Sequence, residues 1–235
     1  MSIINFLDSI KLTLEHQHDH ARKDGLGSPR LFITLSRQPG AGAIRIGEKT
    51  AEFLNNDKKI KWRTPWKLFD KELVKMVIEE HHLPENCEKY MPEGKVSPVQ
   101  DILDDLFGVH PPAISLVHKT NETLLHLAHL GNVIIVGRGG PVITRKLRGG
   151  FHVRLVGSFD KRFRRVMEFS KLSEKEAKKL ITEKDKGRKK YFKEYFNKDI
   201  DDPLLYDLLL NTDHLSYDQA AKMITHCALC SCDAI

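Results

Sequence analysis

A chain of 235 residues, 40% hydrophobic, can bury a substantial core and fits one α/β domain with a mobile subdomain better than two independent domains. Its net charge of +6 and pI near 9.0 favour an anionic partner such as a nucleotide, nucleic acid or acidic lipid. No run approaches the roughly 18 apolar residues that span a bilayer, and the apolar N-terminal stretch carries Asp8 in place of a basic region; the chain therefore reads as cytosolic, with no membrane partner.

Residues 1–30 open the chain. Ile3, Leu7, Ile10 and Leu14 recur at helical spacing, which predicts an amphipathic helix that ends in the loop from Asp24 to Pro29. It has two possible seats, the domain itself or a second copy in a homodimer. His16, His18 and His20 alternate in a polar stretch and read as a solvated helix end, not a metal site. A first strand follows in Leu31-Phe32-Ile33-Thr34-Leu35, then a glycine loop, then a helix lined by Ile46, Ala51, Phe53 and Leu54 that ends near Asn55-Asn56. Beyond the basic, aromatic stretch with Trp62 and Trp66, a short strand around Leu68-Phe69 reaches Asp70. The helix after it shows Leu73, Val74, Val77 and Ile78 on one face, and 84–98 reads as irregular and mobile.

Ile114 to Leu130 is helical again and stops at Gly131. Val133-Ile134-Ile135-Val136 has the wholly apolar, β-branched character of a strand covered on both faces in a parallel sheet. Phe151 to Val156 and Asp207 to Asn211 supply two more strands. Between them lie a helix from about Asp160 to Phe169 and a second one started by the capping box Ser173 with Glu176. Strands alternating with helices, joined by right-handed crossovers, predict a doubly wound parallel sheet of about five strands. The four cysteines, Cys87, Cys227, Cys230 and Cys232, do not suggest a disulfide framework in a chain of this class. Residues 226–235 read as a frayed tail with free thiols, and no metal site is expected.

The loop after the first strand, Ser36 to Gly47 (SRQPGAGAIRIG), is the most telling segment. A strand that delivers into a glycine turn and opens a helix gathers unpaired backbone N–H groups and the positive helix end at one spot, where polyphosphate binds well. Any βα unit is also built this way, so the loop by itself leaves both readings open. Laid on the standard phosphate-loop pattern, Gly42 takes the last glycine, Arg37 replaces the first, and Ala43 stands where the Lys for the β- and γ-phosphates belongs. Arg45 is the next polar side chain in the helix, and we read it as a surrogate for that Lys.

In a doubly wound sheet the loops after the strands meet at one edge. Gln38 to Gly42, Asp70 and Gly137 to Gly140 would therefore share a crevice. The basic excess from Lys161 to Lys193 supplies charge for a moving phosphoryl group, with Arg162, Arg165 and Arg188 as the main candidates, while Lys175, Lys178 and Lys179 read as a solvated helix face. Arg138 between two glycines reads equally as a ligand contact or a cap, and Asp70 reads first as a helix N-cap and second as a ligand contact. Tyr191, Phe192, Tyr195 and Phe196 among lysines would also suit an RNA-binding surface, but packing periodicity accounts for them and no nucleic-acid partner is expected.

SRQPGAG with Arg45 and Gly47, FDKE from Phe69, VIIVGRGG from Val133, SEKEA from Ser173, DKGRKKYFKEYF from Asp185 and DPLLYDLLLNT from Asp202 occur in one order that resembles the cytidylate-kinase-like branch of the nucleoside monophosphate kinases. The resemblance spans roughly 32–224. It implies a phosphate-loop kinase domain over 31–230, with a helical acceptor-binding insertion over 71–131 and a short lid over 171–200. It also implies transfer of the γ-phosphoryl group of ATP, with Mg²⁺, to CMP or dCMP. By position, Arg37, Gln38, Gly40, Ala41, Gly42, Arg45 and Arg165 would bind ATP, Arg45, Arg162 and Arg188 would serve catalysis, and Asp70, Arg138, Lys184 and Asp185 would face the acceptor. True cytidylate kinases carry Lys where Ala43 stands, a hydroxyl where Arg45 stands and Asp where Gly139 stands. A catalytically weak nucleotide-binding sensor or scaffold is accordingly the alternative.

Overall fold

The fold is described from a computed structural model that covers residues 30–62, 64–70 and 113–232, together with Leu73, Val77, Glu80 and His81. The expected N-terminal helix, the histidine run, the irregular 84–98 stretch and Cys87 lie outside the described residues.

Five parallel strands form one sheet. They are β1 (Phe32–Arg37), β2 (Lys67–Phe69), β3 (Val133–Val136), β4 (Gly150–Val156) and β5 (Leu208–Asn211), in the order β2-β3-β1-β4-β5. Around them run α1 (Ala43–Asn56), α2 (Ala113–Leu130), the short α3 (Gly140–Ile143), α4 (Phe159–Phe169), α5 (Glu174–Phe196) and α6 (Tyr217–Cys232). The doubly wound fold expected from the alternation of elements is borne out.

The register explains why the strands read as they do. Phe32 to Leu35 pair with Val133 to Val136 on one side, and Phe32 to Arg37 pair with Gly150 to Leu155 on the other, so β1 is central and covered on both faces. Ile33, Leu35, Ile134, Val136, Val153 and Leu155 face α1 and α6 in the larger core, where Ile46, Leu54, Ala220 and Ile224 meet them. Phe32, Val133 and Ile135 point the other way, against Leu124 and Leu127 of α2 and against Leu73, which is helical and fully buried as its spacing predicts.

Further along this second face the sheet is polar. Thr34, Ser36, His152 and Arg154 are all buried there, beneath the aromatic end of α5 formed by Tyr191, Phe192, Tyr195 and Phe196. The capping box predicted at Ser173 and Glu176 is present and starts α5. At the other end of the chain, residues 226–232 continue α6 as regular helix instead of fraying, because Ile224 and Ala228 on its inner face are fully buried in the core.

Candidate functional site

The carboxyl ends of β1, β2 and β3 bring Gln38 to Gly42, Asp70 and Arg138 to one edge, and α5 crosses over them. Between these parts lies a cavity of about 880 Å³. Six cationic side chains line it, Arg37, Arg45, Arg138, Arg165, Lys184 and Arg188, against two carboxylates, Asp70 and Glu183. Such a surplus of positive charge selects a polyanion.

The floor is the loop after β1. Gly40 has φ +80°, and a Cβ there would stand 2.5 Å from the Arg162 carbonyl oxygen, so only glycine lets the loop run against α4. Gly42 caps α1 with a left-handed backbone, with no side-chain cap and no acidic residue in the first turn. The N–H groups of that turn therefore keep their hydrogen-bonding capacity and the positive end of the helix dipole for a ligand. Ala41 and Ala43 are buried, Ala43 forming part of the cavity wall.

The arginines separate into distinct tasks. Arg162 is almost wholly buried; its Nε donates to the Gly157 carbonyl (3.0 Å), and its Nη1 donates to the Pro39 carbonyl (3.2 Å) and to Asp185 Oδ2 (2.9 Å). It ties the end of β4, the loop after β1 and α5 together, and it does not line the cavity. Arg165 does line it, donating to both Oγ1 (2.8 Å) and the carbonyl of Thr212 while its guanidinium lies over the Tyr217 ring. Arg188 Nη1 donates to the Arg37 carbonyl at 2.9 Å and pins α5 to the start of the loop. Arg37 approaches Asp70 at 3.7 Å. Arg45 sits at the rim, its side chain 63% exposed and 3.5 Å from Glu48. Gln38 is drawn the other way, its Oε1 accepting from the Gly157 N–H at 3.0 Å, which locks the loop to the end of β4. Lys178 and Lys179 pair with Glu174 and Glu183 on the solvent side of α5, as a solvated face should.

Arg138 occupies a sharply turned backbone. Gly137, Arg138 and Gly139 have φ of 83°, 55° and 74°, three left-handed residues in a row, and the middle one is not glycine. Such strain in a non-glycine residue is characteristic of functional loops. It delivers Arg138 to the cavity. A Cβ on Gly139 would stand 2.4 Å from the Phe196 ring edge, so any side chain there forces the ring to shift.

A buried network missed by sequence reasoning supports the loop from beneath. Arg154 Nη1 donates to Ser36 Oγ (2.9 Å) and its Nη2 to Asp201 Oδ1 (2.8 Å), while its guanidinium lies over the ring of Tyr206, whose hydroxyl donates to the Ile200 carbonyl. Burial pushes the Asp201 carboxyl up, but hydrogen bonds from Lys189 and Arg154 outweigh it and hold the pKa below the usual value. Burial drives His152 down to about 4, so it is neutral at physiological pH and shares a 2.9 Å hydrogen bond with Thr34. The signal in the sequence was the alternation of His152 and Arg154 with apolar residues in the Phe151 to Val156 strand.

The sequence profile of the cytidylate kinase-like family matches residues 32–214, most of the chain. The chain belongs to the cytidylate kinase-like family. The membership borne out here places it among kinase-type, nucleotide-using enzymes. No curated protein sequence matches it significantly. Among solved structures, it is similar to an uncharacterized protein from Eubacterium ventriosum (21% identity, TM-score 0.60, 83% of this chain and 96% of that one). It is also similar to shikimate kinase from Bacteroides thetaiotaomicron (16% identity, TM-score 0.50, 83% of this chain and 97% of that one). At these identities the likeness is one of fold, and the fold is that of a kinase.

Proposed function

We propose that the protein transfers the γ-phosphoryl group of ATP to a nucleoside monophosphate, CMP or dCMP by preference, in the cytoplasm. The observation that carries this reading is the single cavity in which the uncapped start of α1, six cations and the strained Arg138 converge. Phosphoryl transfer needs positioning and electrostatic stabilisation more than covalent chemistry, and these groups supply both.

The N–H groups of Gly40, Gly42 and Ala43 would hold the donor phosphates, with Arg165 and Arg188 at their flank, while the Ala41 N–H closes the loop on the Gln38 carbonyl. Arg138, on the Asp70 side, would neutralise the acceptor phosphate and bring one of its oxygens in line with the γ-phosphorus. That oxygen bonds to the γ-phosphorus as the bond to the β-phosphate bridging oxygen breaks, and ADP leaves with the electron pair. Arg162 would act through the groups it holds, by fixing the loop and α5, while Asp185 and Gln38 anchor the same parts. The donor set suits a magnesium ion that arrives on the nucleotide. Asp70 is the cavity carboxylate that could meet it, Glu183 being turned to Lys179 on the solvent side of α5, and this ion ordinarily binds through one or two carboxylates together with substrate phosphates and water. Bound there, it would neutralise charge developing on the leaving phosphate. Neither Ile44 nor Arg45 offers it a hydroxyl from α1.

The test is ADP release from MgATP against a panel of nucleoside monophosphates and simple hydroxyl acceptors. Turnover that depends on CMP or dCMP supports the reading, and turnover with another acceptor class alone overturns the assigned substrate. ATP binding without turnover under any acceptor leaves the sensor alternative, which the departures at Ala43 and Gly139 favour.

A further inference from the structure

Arg37 stands where the standard phosphate-loop pattern has its first glycine, and its backbone does not call for one. It closes β1 as regular strand in register with Leu155 of β4, and the left-handed glycines of the loop begin only at Gly40. A side chain is tolerated at 37, and its direction decides what it can reach. Along β1, Ile33 and Leu35 face α1 while Thr34 and Ser36 lie beneath α5, so strand alternation sends Arg37 out on the α1 face. The next residue turns towards β4, where Gln38 Oε1 accepts from the Gly157 N–H. Arg37 instead comes within 3.7 Å of Asp70 Oδ1, just past the end of β2. Since β3 lies between β1 and β2, two interstrand spacings, about 10 Å, separate the strands that carry this pair. The Arg37 side chain therefore crosses the carboxyl end of β3, at the turn that delivers Arg138.

The two sides of the cavity differ accordingly. On the side of β4 and β5, Arg165 reaches the Gly40 carbonyl and Tyr217 packs beside Gly42, against the uncapped start of α1. On the side of β3 and β2, Arg37, Arg138 and Asp70 line the same cavity together. We propose that Arg37 binds the phosphate of the acceptor together with Arg138, and that Asp70 fixes its direction. By its place in the sequence Arg37 belongs with ATP, whereas by its direction it belongs with the acceptor. A phosphomonoester carries about −1.5 to −2 charges at pH 7, and Asp70 adds another beside it. Arg138 alone leaves most of that charge unbalanced, whereas guanidinium groups from two neighbouring strands can grip the phosphate oxygens in pairs. Asp70 approaches Nη2 of a fork with five N–H donors, and a phosphate that adds to the fork leaves that contact in place. The contact holds a long side chain in one direction, so less freedom is lost when the ligand arrives. The inference rests on the nucleotide-kinase reading above and adds to it a second acceptor cation, drawn from the strand that leads into the donor loop.

The experiment is a titration of the full-length protein with CMP and with MgATP by calorimetry, and with cytidine by nuclear magnetic resonance. Arg37→Gln should weaken CMP binding at least tenfold while cytidine, which lacks the phosphate, and MgATP each stay within threefold of the unsubstituted protein. A merely structural role for the pair of Arg37 and Asp70 would move CMP and cytidine together. Arg37→Lys keeps a charge beside Asp70 but loses the paired donors, and should weaken CMP at least threefold with MgATP binding unchanged. If Arg37→Gln does not fold, Arg37→Lys decides alone. CMP binding by the variants equal to that of the unsubstituted protein overturns this inference and leaves the kinase reading standing, as do equal losses for CMP and cytidine, or a tenfold loss for MgATP with CMP unaffected. Absence of CMP binding by the unsubstituted protein, alone and with MgADP present, overturns both.

Discussion

Installing the missing carboxylate with Gly139→Asp should damage the fold. Gly139 has φ +74°, a conformation that costs an L-residue about 1–2 kcal/mol, with aspartate at the lenient end. The new Cβ would also stand 2.4 Å from the Phe196 ring edge, with Ile143 Cδ1 a further neighbour at 3.4 Å. Overpacking of this kind costs about 1–3 kcal/mol. The sum, about 2–5 kcal/mol, should lower Tm by roughly 4–20 °C in a domain of this size. Thermal unfolding followed by circular dichroism measures it. Adding Phe196→Ala should make the double variant less destabilised than the two single effects summed, by about the 1–3 kcal/mol of relieved crowding, since the residues are in contact. A Tm change for Gly139→Asp within 2 °C, or strict additivity with Phe196→Ala, would refute the reasoning.

Three other outcomes follow from the same geometry. Arg162→Ala removes one partner of a buried ion pair and should destabilise the protein by about 3–5 kcal/mol in urea unfolding; a loss below about 1 kcal/mol, the worth of an exposed pair, would contradict its place as the clamp between loop and α5. Arg138→Ala should lower kcat/KM for CMP by the equivalent of about 2–4 kcal/mol while leaving the ATP affinity within a few-fold; equal losses for both substrates would remove Arg138 from the acceptor side. His152, at about 4 when folded, binds fewer protons in the native than in the unfolded state between its two pKa values. Its contribution is therefore complete above about 6.5 and is lost as pH falls towards 4, amounting to about 2 kcal/mol by pH 5. Comparing urea unfolding at pH 7 and pH 5 for the native protein and His152→Gln tests this, and an identical pH slope in both would contradict it.

Most of the sheet was legible because each strand is a short apolar run bounded by turn residues. β3 was readable to the residue, and β1, β4 and β5 to within one or two residues at an end. The strand order was not legible, since it depends on which faces the helices cover and not on any local pattern. The length of α5 was hidden for a related reason. Its mean composition is strongly polar, and the aromatic residues that anchor it fall only in its last two turns. In the site, the glycine loop after β1 and Arg138 stood out because glycines mark them. The separation of Arg162 from Arg165 could not be read, because both sit on one helix face and only the depth of packing divides them. Arg45 looked nearest the missing lysine along the chain, yet distance in sequence says nothing of its place at the rim beside Glu48.

The most direct test of phosphoryl transfer to a nucleoside monophosphate is the initial rate of ADP release from MgATP with and without CMP, followed by identification of the product. A rate at least tenfold above that with water alone, with CDP formed in amounts equal to ADP, is the expected result. Tight binding of ATP and CMP with no CDP, or ADP release that ignores CMP, would contradict it.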